Sequence, residues 1–174
     1  MDLNQAYDKL LGHEGGYSND AADPGGETYK GVSRKNNPTW PGWARIDAAK
    51  KATGFPASLD TDTVLDSLAR GLYREKYWAP AQCDSLPAEL RFQVFDTAVN
   101  SGVSQAIKLL QRAVCVTADG VIGPQTRMAI QAMPTARLNA RFNAYRLALL
   151  ASLPNWPRFG RGWALRIADN LLES

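Results

Sequence analysis

The sequence predicts a mainly α-helical globule with a small non-helical insertion after the first helix. Apolar residues recur at steps of three and four along most of the 174 residues, which is the spacing of one helix face. Glycine and proline pairs divide this pattern into segments of helical length. The exception is residues 17–31, where Gly, Asp, Asn and Pro are too dense for a helix. That stretch indicates an ordered loop or a short β-hairpin.

The first helix is expected to carry Leu3, Tyr7 and Leu10 on its buried face. Gly15 and Gly16 are expected to end it, because glycine adopts the left-handed terminal conformation at little cost. Asp60 or Thr61 is expected to cap a later helix that reaches Trp78. With prolines suited to several first turns, further helices are predicted over residues 44–53, 87–102, 103–116, 124–133, 134–153 and 159–172.

Composition narrows the class of protein. The chain is 45% hydrophobic, which excludes general disorder, and its net charge of +3 favours polyanions only weakly. No apolar run approaches the roughly 20 residues of a membrane span. The N-terminus has neither the basic region nor the apolar region of a secretory signal. We therefore expect a protein made in the cytoplasm without a signal peptide.

Histidine and cysteine usage limits the chemistry. His13 is the single histidine, so any Ser-His or Cys-His mechanism would have to use it. Cys83 and Cys115 have neither metal-ligand spacing nor a recognisable activating context. The string HEGGY is close to a zinc-protease motif, but Tyr17 stands where the second histidine would be. We predict no metal and no cofactor, which makes carboxylate chemistry the first class to examine.

Glu14 continues the apolar stripe of the first helix, four residues after Leu10 and seven after Tyr7. Apolar surroundings and the negative end of the helix dipole would both raise its pKa. A carboxylic acid that stays protonated near neutral pH is what a glycosidase needs to protonate a leaving oxygen. The alternative is a partly exposed glutamate that only fills the turn.

Three further carboxylates follow within thirteen residues, at Asp20, Asp23 and Glu27. Glycosidases use two carboxyl groups about 5–9.5 Å apart, one as acid and one as base, nucleophile or stabiliser. A loop returning past the helix end would place one of these residues opposite Glu14, and Thr28 offers a hydroxyl to orient a water. The alternative is that Asp20 and Asp23 only bond their own backbone in Asx turns.

Residues 13–33, HEGGYSNDAADPGGETYKGVS, closely resemble the signature of glycoside hydrolase family 108, a group of phage and bacterial lysozyme-like muramidases. The resemblance implies a lysozyme-like helical globule with Glu14 as catalytic acid. It also implies Asp23 as the second catalytic residue, assisted by Thr28. Lys30 departs from the pattern, because the family usually has an aromatic there. The residues of this region that are predicted to contact substrate are Tyr17, Asp20 and Tyr29.

Residues 95–126 are similar to the predicted peptidoglycan-binding segment that accompanies this family. Asp96 and Asn100 lie one turn apart on an otherwise apolar helix. They are predicted to contact substrate in a sugar groove; the alternative is that they cap or bridge neighbouring helices. Three arginines beside Trp163 would meet either an anionic polymer or solvent, namely Arg158, Arg161 and Arg166.

Together these observations predict a catalytic lobe over residues 1–92 and a helical peptidoglycan-binding lobe over residues 93–174. The predicted activity is hydrolysis of the β-1,4 link between N-acetylmuramic acid and N-acetylglucosamine. Its partner would be the peptidoglycan glycan strand, with no nucleic acid and no membrane insertion, and the protein would be a monomer. It would act in the periplasm or cell wall after release by a holin or a secretion apparatus. The alternatives are a lytic transglycosylase and a non-catalytic wall-binding module.

Overall fold

The computed structural model describes residues 1–12, 16–20 and 26–172. The chain divides into two compact units, one of residues 3–76 and one of residues 1–2 and 77–174. The predicted fold class is confirmed, since helices dominate and a small antiparallel sheet follows the first helix. Within the described residues, no helix is long and apolar enough to cross a membrane.

The described residues of the unit 3–76 form three α-helices and the sheet. The helices are α1 (Leu3–Leu11), α2 (Gly42–Ala49) and α3 (Thr63–Tyr73). The strands are β1 (Tyr17–Ser18), β2 (Thr28–Tyr29) and β3 (Val32–Ser33). They form an antiparallel meander in the order β1-β2-β3.

Several helix ends differ from the sequence prediction, including the end of α1 and the start of α3. Helix α1 ends at Leu11 and not at the Gly15-Gly16 pair, because Gly12 already adopts φ +57° and donates its N–H to the Asp8 carbonyl at 3.1 Å. Helix α3 is capped by Asp62, whose carboxylate accepts from the Leu65 N–H at 2.9 Å. Asp60 does not serve as the cap, since it ends the 3₁₀ turn that precedes this helix.

The core of this unit is aromatic. Tyr29 and Trp40 stack with ring centroids 6.1 Å apart, and Trp43 meets Trp40 edge-on at 5.0 Å. The indole N–H groups donate to main-chain carbonyls, from Trp40 to Leu68 at 3.2 Å and from Trp43 to Asn37 at 2.7 Å. Each buried indole therefore keeps a polar partner, which removes the main cost of burying it.

Every regular element that the structure describes in the unit of residues 77–174 is helical. Its helices are α4 (Ala88–Ser101), α5 (Val103–Ala113), α6 (Pro124–Ala132), α7 (Thr135–Ala151) and α8 (Trp156–Leu172). Helix α4 is the central one, because eight of its residues are buried and it packs against both α5 and α7. Helix α8 packs on α7. Burial on nearly all sides of α4 agrees with the largely apolar helix predicted from the sequence.

Candidate active-site loop and its supporting sheet

Both residues predicted to carry the chemistry, Glu14 and Asp23, lie outside the described residues, as does His13. In the chain, Glu14 stands between the end of α1 and strand β1, and Asp23 stands in the connection between β1 and β2. The structure describes the residues that flank them in the chain. The contacts of these flanking residues show which side chains are committed to packing or ion pairs.

Strand pairing anchors both ends of the β1–β2 connection. Ser18 pairs with Thr28, and Tyr17 pairs with Tyr29. The segment that bears Asp20 therefore leaves and re-enters the sheet at two opposed residues, whose Cα atoms lie about 5 Å apart in such a ladder. Thr28 is half-buried on the middle strand, so the backbone that carries its hydroxyl is held from both sides.

Glu27 is committed to an ion-pair network. Its carboxylate lies 2.6 Å from Nε of Arg34 and 2.7 Å from Nζ of Lys50, and its side chain is only 11% exposed. Asp47 joins the same network through Arg34 Nη2 at 2.6 Å and Lys50 Nζ at 3.2 Å. These contacts tie the start of β2, the residue after β3 and the end of α2 together.

The protonation state of Glu27 follows from these partners. Burial alone would raise its pKa, but hydrogen bonds from Lys50, Arg34 and Tyr17 outweigh burial and hold the pKa below its usual value. Glu27 is therefore ionised at neutral pH and has no proton to donate. Among the carboxylates that follow the first helix in the sequence, Glu27 therefore has a structural role as an ionised ion-pair partner.

Tyr17 and Asp20 lie on the first strand and just after it. The Tyr17 ring is half-buried and meets Phe55 edge-on at 4.8 Å, while its hydroxyl bonds to Glu27. Burial, followed by the neighbouring Glu27 carboxylate, raises the pKa of Tyr17. Asp20 is exposed. Both predicted substrate-contact residues thus keep some accessible surface beside the connection.

Tyr29 has a different environment. Its side chain is fully buried against Trp40, and its hydroxyl lies 3.5 Å from the Leu59 carbonyl oxygen. Burial, aided by nearby Asp66, raises the pKa of Tyr29 to about 12. The next residue, Lys30, occupies the β2–β3 turn with φ +44° and pairs with Asp66 at 2.5 Å. At this point of the sheet the aromatic ring belongs to the core, and the lysine is a half-buried ion-pair partner of Asp66.

In the second unit, Asp96 is fully buried and binds two arginines. Its Oδ2 lies 2.5 Å from Nη2 of Arg146, and its Oδ1 lies 3.0 Å from Nε of Arg166. Asn100 and Asn170 also donate to this carboxylate, at 3.1 and 3.3 Å. Asp96 thereby bridges α4, α7 and α8, which is the helix-bridging arrangement that the sequence left open.

Arg146 is a residue that sequence reasoning missed. A buried carboxylate requires a countercharge, so a partner for Asp96 was to be expected. The cation that supplies it stands fifty positions further along the chain, and only the packing of α7 on α4 brings it there.

Gln111 connects the residues of the turn before α6. Its amide nitrogen donates to Asp119 Oδ1 at 2.7 Å, the Val121 carbonyl at 3.0 Å and Thr126 Oγ1 at 3.2 Å. Its amide oxygen accepts from the Gly120 N–H at 2.8 Å. Gln111, Asp119 and Thr126, which all fall within residues 95–126, therefore hold this turn in place.

Comparison with known proteins then identifies the family. Residues 7–102, more than half of the chain, match the family described as Glycosyl hydrolase 108. The chain belongs to the glycosyl hydrolase 108 family. Residues 105–168 match a second family, described as Predicted Peptidoglycan domain. This glycosyl hydrolase 108 member is accordingly a glycoside hydrolase with a peptidoglycan-directed segment, and both resemblances seen in the sequence are confirmed.

A solved structure extends the likeness over the whole chain. The structure of SagA from Brucella abortus is 32% identical in sequence, with a TM-score of 0.73. The match covers 98% of this chain and 92% of that one. The comparison with curated proteins found no match. The glycosyl hydrolase 108 segment contains the second half of α1, the sheet and the Glu27 network, and the second segment contains the Gln111 turn.

Proposed function

We propose that this protein is an N-acetylmuramidase, which hydrolyses the β-1,4 link between N-acetylmuramic acid and N-acetylglucosamine in peptidoglycan. The observation that carries the proposal is the family match over residues 7–102, which includes the whole Glu14-to-Ser33 motif. The peptidoglycan domain over residues 105–168 supports the same substrate. Peptidoglycan hydrolysis would place the protein's action in the periplasm or cell wall.

In this mechanism Glu14 protonates the bridging oxygen as the general acid. Glu27 cannot share that role, because its ion pairs with Arg34 and Lys50 keep it ionised. Asp23, assisted by Thr28, activates the water or stabilises the oxocarbenium charge. Pairing of Thr28 with Ser18 supports this role for the threonine, since it steadies the strand that carries the hydroxyl.

Substrate contacts are proposed for Tyr17 and Asp20, whose side chains keep accessible surface beside the connection. Tyr29 contributes through packing on Trp40, which holds β2 in position. In the second half, Asn100 is exposed at the end of α4, whereas Asp96 acts on any ligand through the arginines that it holds.

The proposal keeps the two-lobe organisation, with catalysis in residues 1–92 and wall binding in residues 93–174. It also keeps a monomeric protein that a holin or a secretion apparatus delivers to the wall. A phage endolysin and a bacterial effector would both fit this description.

Digestion of purified peptidoglycan tests the activity. Wild type and Glu14→Gln are incubated with the polymer, and the product ends are identified by mass spectrometry. We expect reducing muramic acid ends from the wild type and their loss in Glu14→Gln. Glu89→Gln is the matched control, because it makes the same substitution at an exposed residue of α4. A fully active Glu14→Gln enzyme would refute the proposed acid.

The same digest separates the alternatives. Anhydro-muramic ends would identify a lytic transglycosylase, and cleaved peptide bonds would exclude a glycosidase altogether. A turbidity assay on permeabilised Gram-negative cells distinguishes an enzyme from a wall-binding module, since a module would sediment with the walls without clearing them.

A further inference from the structure

The unit of residues 77–174 contains a cavity of about 280 Å³ at the end of α4, between α7 and α8. One part of its wall is polar, with Asn100, Arg146 and Arg166. Another part is apolar and includes Leu153 and Trp163. A cavity of this size lies near the lower end of the range for ligand sites, which suits one small group.

Charge in this cavity is unbalanced. Asp96 supplies one negative charge to two guanidinium groups, so the cluster carries a net charge of +1. Arg146 is only 3% exposed, and within the part of the chain that the structure describes its Nη1 has no hydrogen-bond partner. A buried guanidinium N–H without an acceptor is costly, because the donor has lost water and gained nothing in exchange.

Asp96 has no capacity left to correct this imbalance. Both of its oxygens already accept from the two arginines, and Asn100 and Asn170 donate to them as well. Arg166 is 41% exposed, so one side of the cluster remains accessible. The cavity therefore offers a positive wall, a buried donor and a route from solvent.

We propose that this cavity binds a carboxylate carried on a small apolar group, with the anion on Arg146 and Arg166 and the apolar group against Trp163. A carboxylate suits this wall, because one of its oxygens can accept from the unpartnered Nη1 of Arg146 while its charge balances the net charge of +1 on the cluster. In peptidoglycan such a group occurs at the D-alanine end of a peptide stem. That choice of source rests on the proposed function, whereas the carboxylate chemistry rests on the cavity alone.

An apolar surface continues from the cavity wall. Trp163 lies 6.2 Å from Trp156 and 5.8 Å from Phe159, measured between ring centroids, and Phe159 is 43% exposed. Such a surface provides contact area for the part of a ligand that extends beyond the cavity. It also makes the indole of Trp163 a reporter of occupancy.

Binding is measured by titrating N-acetyl-D-alanyl-D-alanine into the ¹⁵N-labelled full chain and following the indole N–H resonances. Trp163→Phe assigns the signal. We expect a saturable shift of the Trp163 indole, while the indoles of Trp40 and Trp43, which belong to the other unit, do not shift. No saturable shift of the Trp163 indole would overturn the proposal.

Variants then separate the charge from the cavity. Arg166→Gln should weaken binding at least tenfold, whereas Arg161→Gln, which removes the same charge from an exposed position on α8, should leave it within twofold. Leu153→Trp should abolish binding by filling the cavity with all charges retained. Thermal unfolding shows whether each variant is folded. If Arg166→Gln does not fold, the loss of binding in Leu153→Trp tests the proposal instead.

Other ligands define the chemistry. The C-terminal amide of the same dipeptide lacks the carboxylate and should bind at least tenfold more weakly, and inorganic phosphate should not compete. Equal binding of the amide would make the cavity a purely apolar site, and equal binding of phosphate would make it an unselective anion site; either result overturns the proposal. Because these measurements involve no cleavage, their outcome is independent of the Glu14→Gln digest.

Discussion

Glu27 Oε2 lies 2.6 Å from Arg34 Nε, joining the residue before β2 to the residue after β3. The same two residues also share a main-chain bond, from the Arg34 N–H to the Glu27 carbonyl oxygen at 2.9 Å. A two-residue strand cannot hold a sheet by itself, since so short a ladder contributes few hydrogen bonds. The ion pair therefore stabilises the open end of the β2–β3 hairpin.

Replacing Glu27 by glutamine should destabilise the protein by about 1–3 kcal/mol, because Arg34 and Lys50 would lose a mostly buried anion. Chemical denaturation measures the free energy of unfolding. Asp47→Asn serves as the control, since Asp47 is the half-exposed member of the same network, and its loss should be clearly smaller. Equal losses for the two variants would show that burial of Glu27 is unimportant.

The free energy of unfolding should also fall at acid pH, because Glu27 becomes protonated there. The folded-state pKa of Glu27 is lowered from its ordinary value of 4.5, so its contribution is complete above that value and is lost as the pH falls through the folded pKa. Denaturation curves of wild type and Glu27→Gln between pH 7 and 3 should converge toward the acid end. Parallel curves would contradict the assignment of an ionised carboxylate.

Thr28→Val should lower the rate of peptidoglycan hydrolysis about tenfold or more, because valine keeps the shape of threonine and lacks the hydroxyl proposed to orient water. Thr28→Ser retains the hydroxyl and should retain most of the activity. The measurement is kcat on soluble glycan fragments, with thermal unfolding to verify the sheet. If Thr28→Val keeps full activity, the threonine has only a structural role on β2.

Asp96→Asn should cost about 3–5 kcal/mol of stability, because it leaves two guanidinium groups without their countercharge, one of them buried. Burial alone would raise the pKa of Asp96, but Arg146 and Arg166 lower it overall, so the native carboxylate is ionised. Asp169→Asn is the control at an exposed position on α8. A loss below about 1 kcal/mol would mean that the two arginines find other partners.

Much of the architecture follows from local patterns. The starts of α4, α6 and α7 at or just after Pro87, Pro124 and Pro134 were predicted correctly, since proline suits a first turn and stops the preceding segment. The insertion after the first helix was predicted from the density of turn residues between 17 and 31, and it is the three-stranded sheet. Helix termini were less predictable where two candidates compete, as at Gly12 and at Asp62.

The candidate site was also predictable only in part. Its motif from Glu14 to Ser33 is contiguous in the chain, so the family could be identified from the residues alone. The sequence did not show that Glu27 is the carboxylate committed to structure. Its two cationic partners are Arg34, which follows β3, and Lys50, which follows α2.

The sequence by itself determined the helical fold, the place of the insertion and the family, because each depends on residues close together in the chain. Only the tertiary structure decided that Glu27 forms a structural ion pair and that Tyr29 is a core residue. It also decided that Asp96 binds Arg146 and Arg166 beside a cavity. The physical reason is that the state of a charge or a ring depends on its neighbours in space. Those neighbours lie between 7 and 70 positions away, as with Glu27 and Arg34 or Asp96 and Arg166.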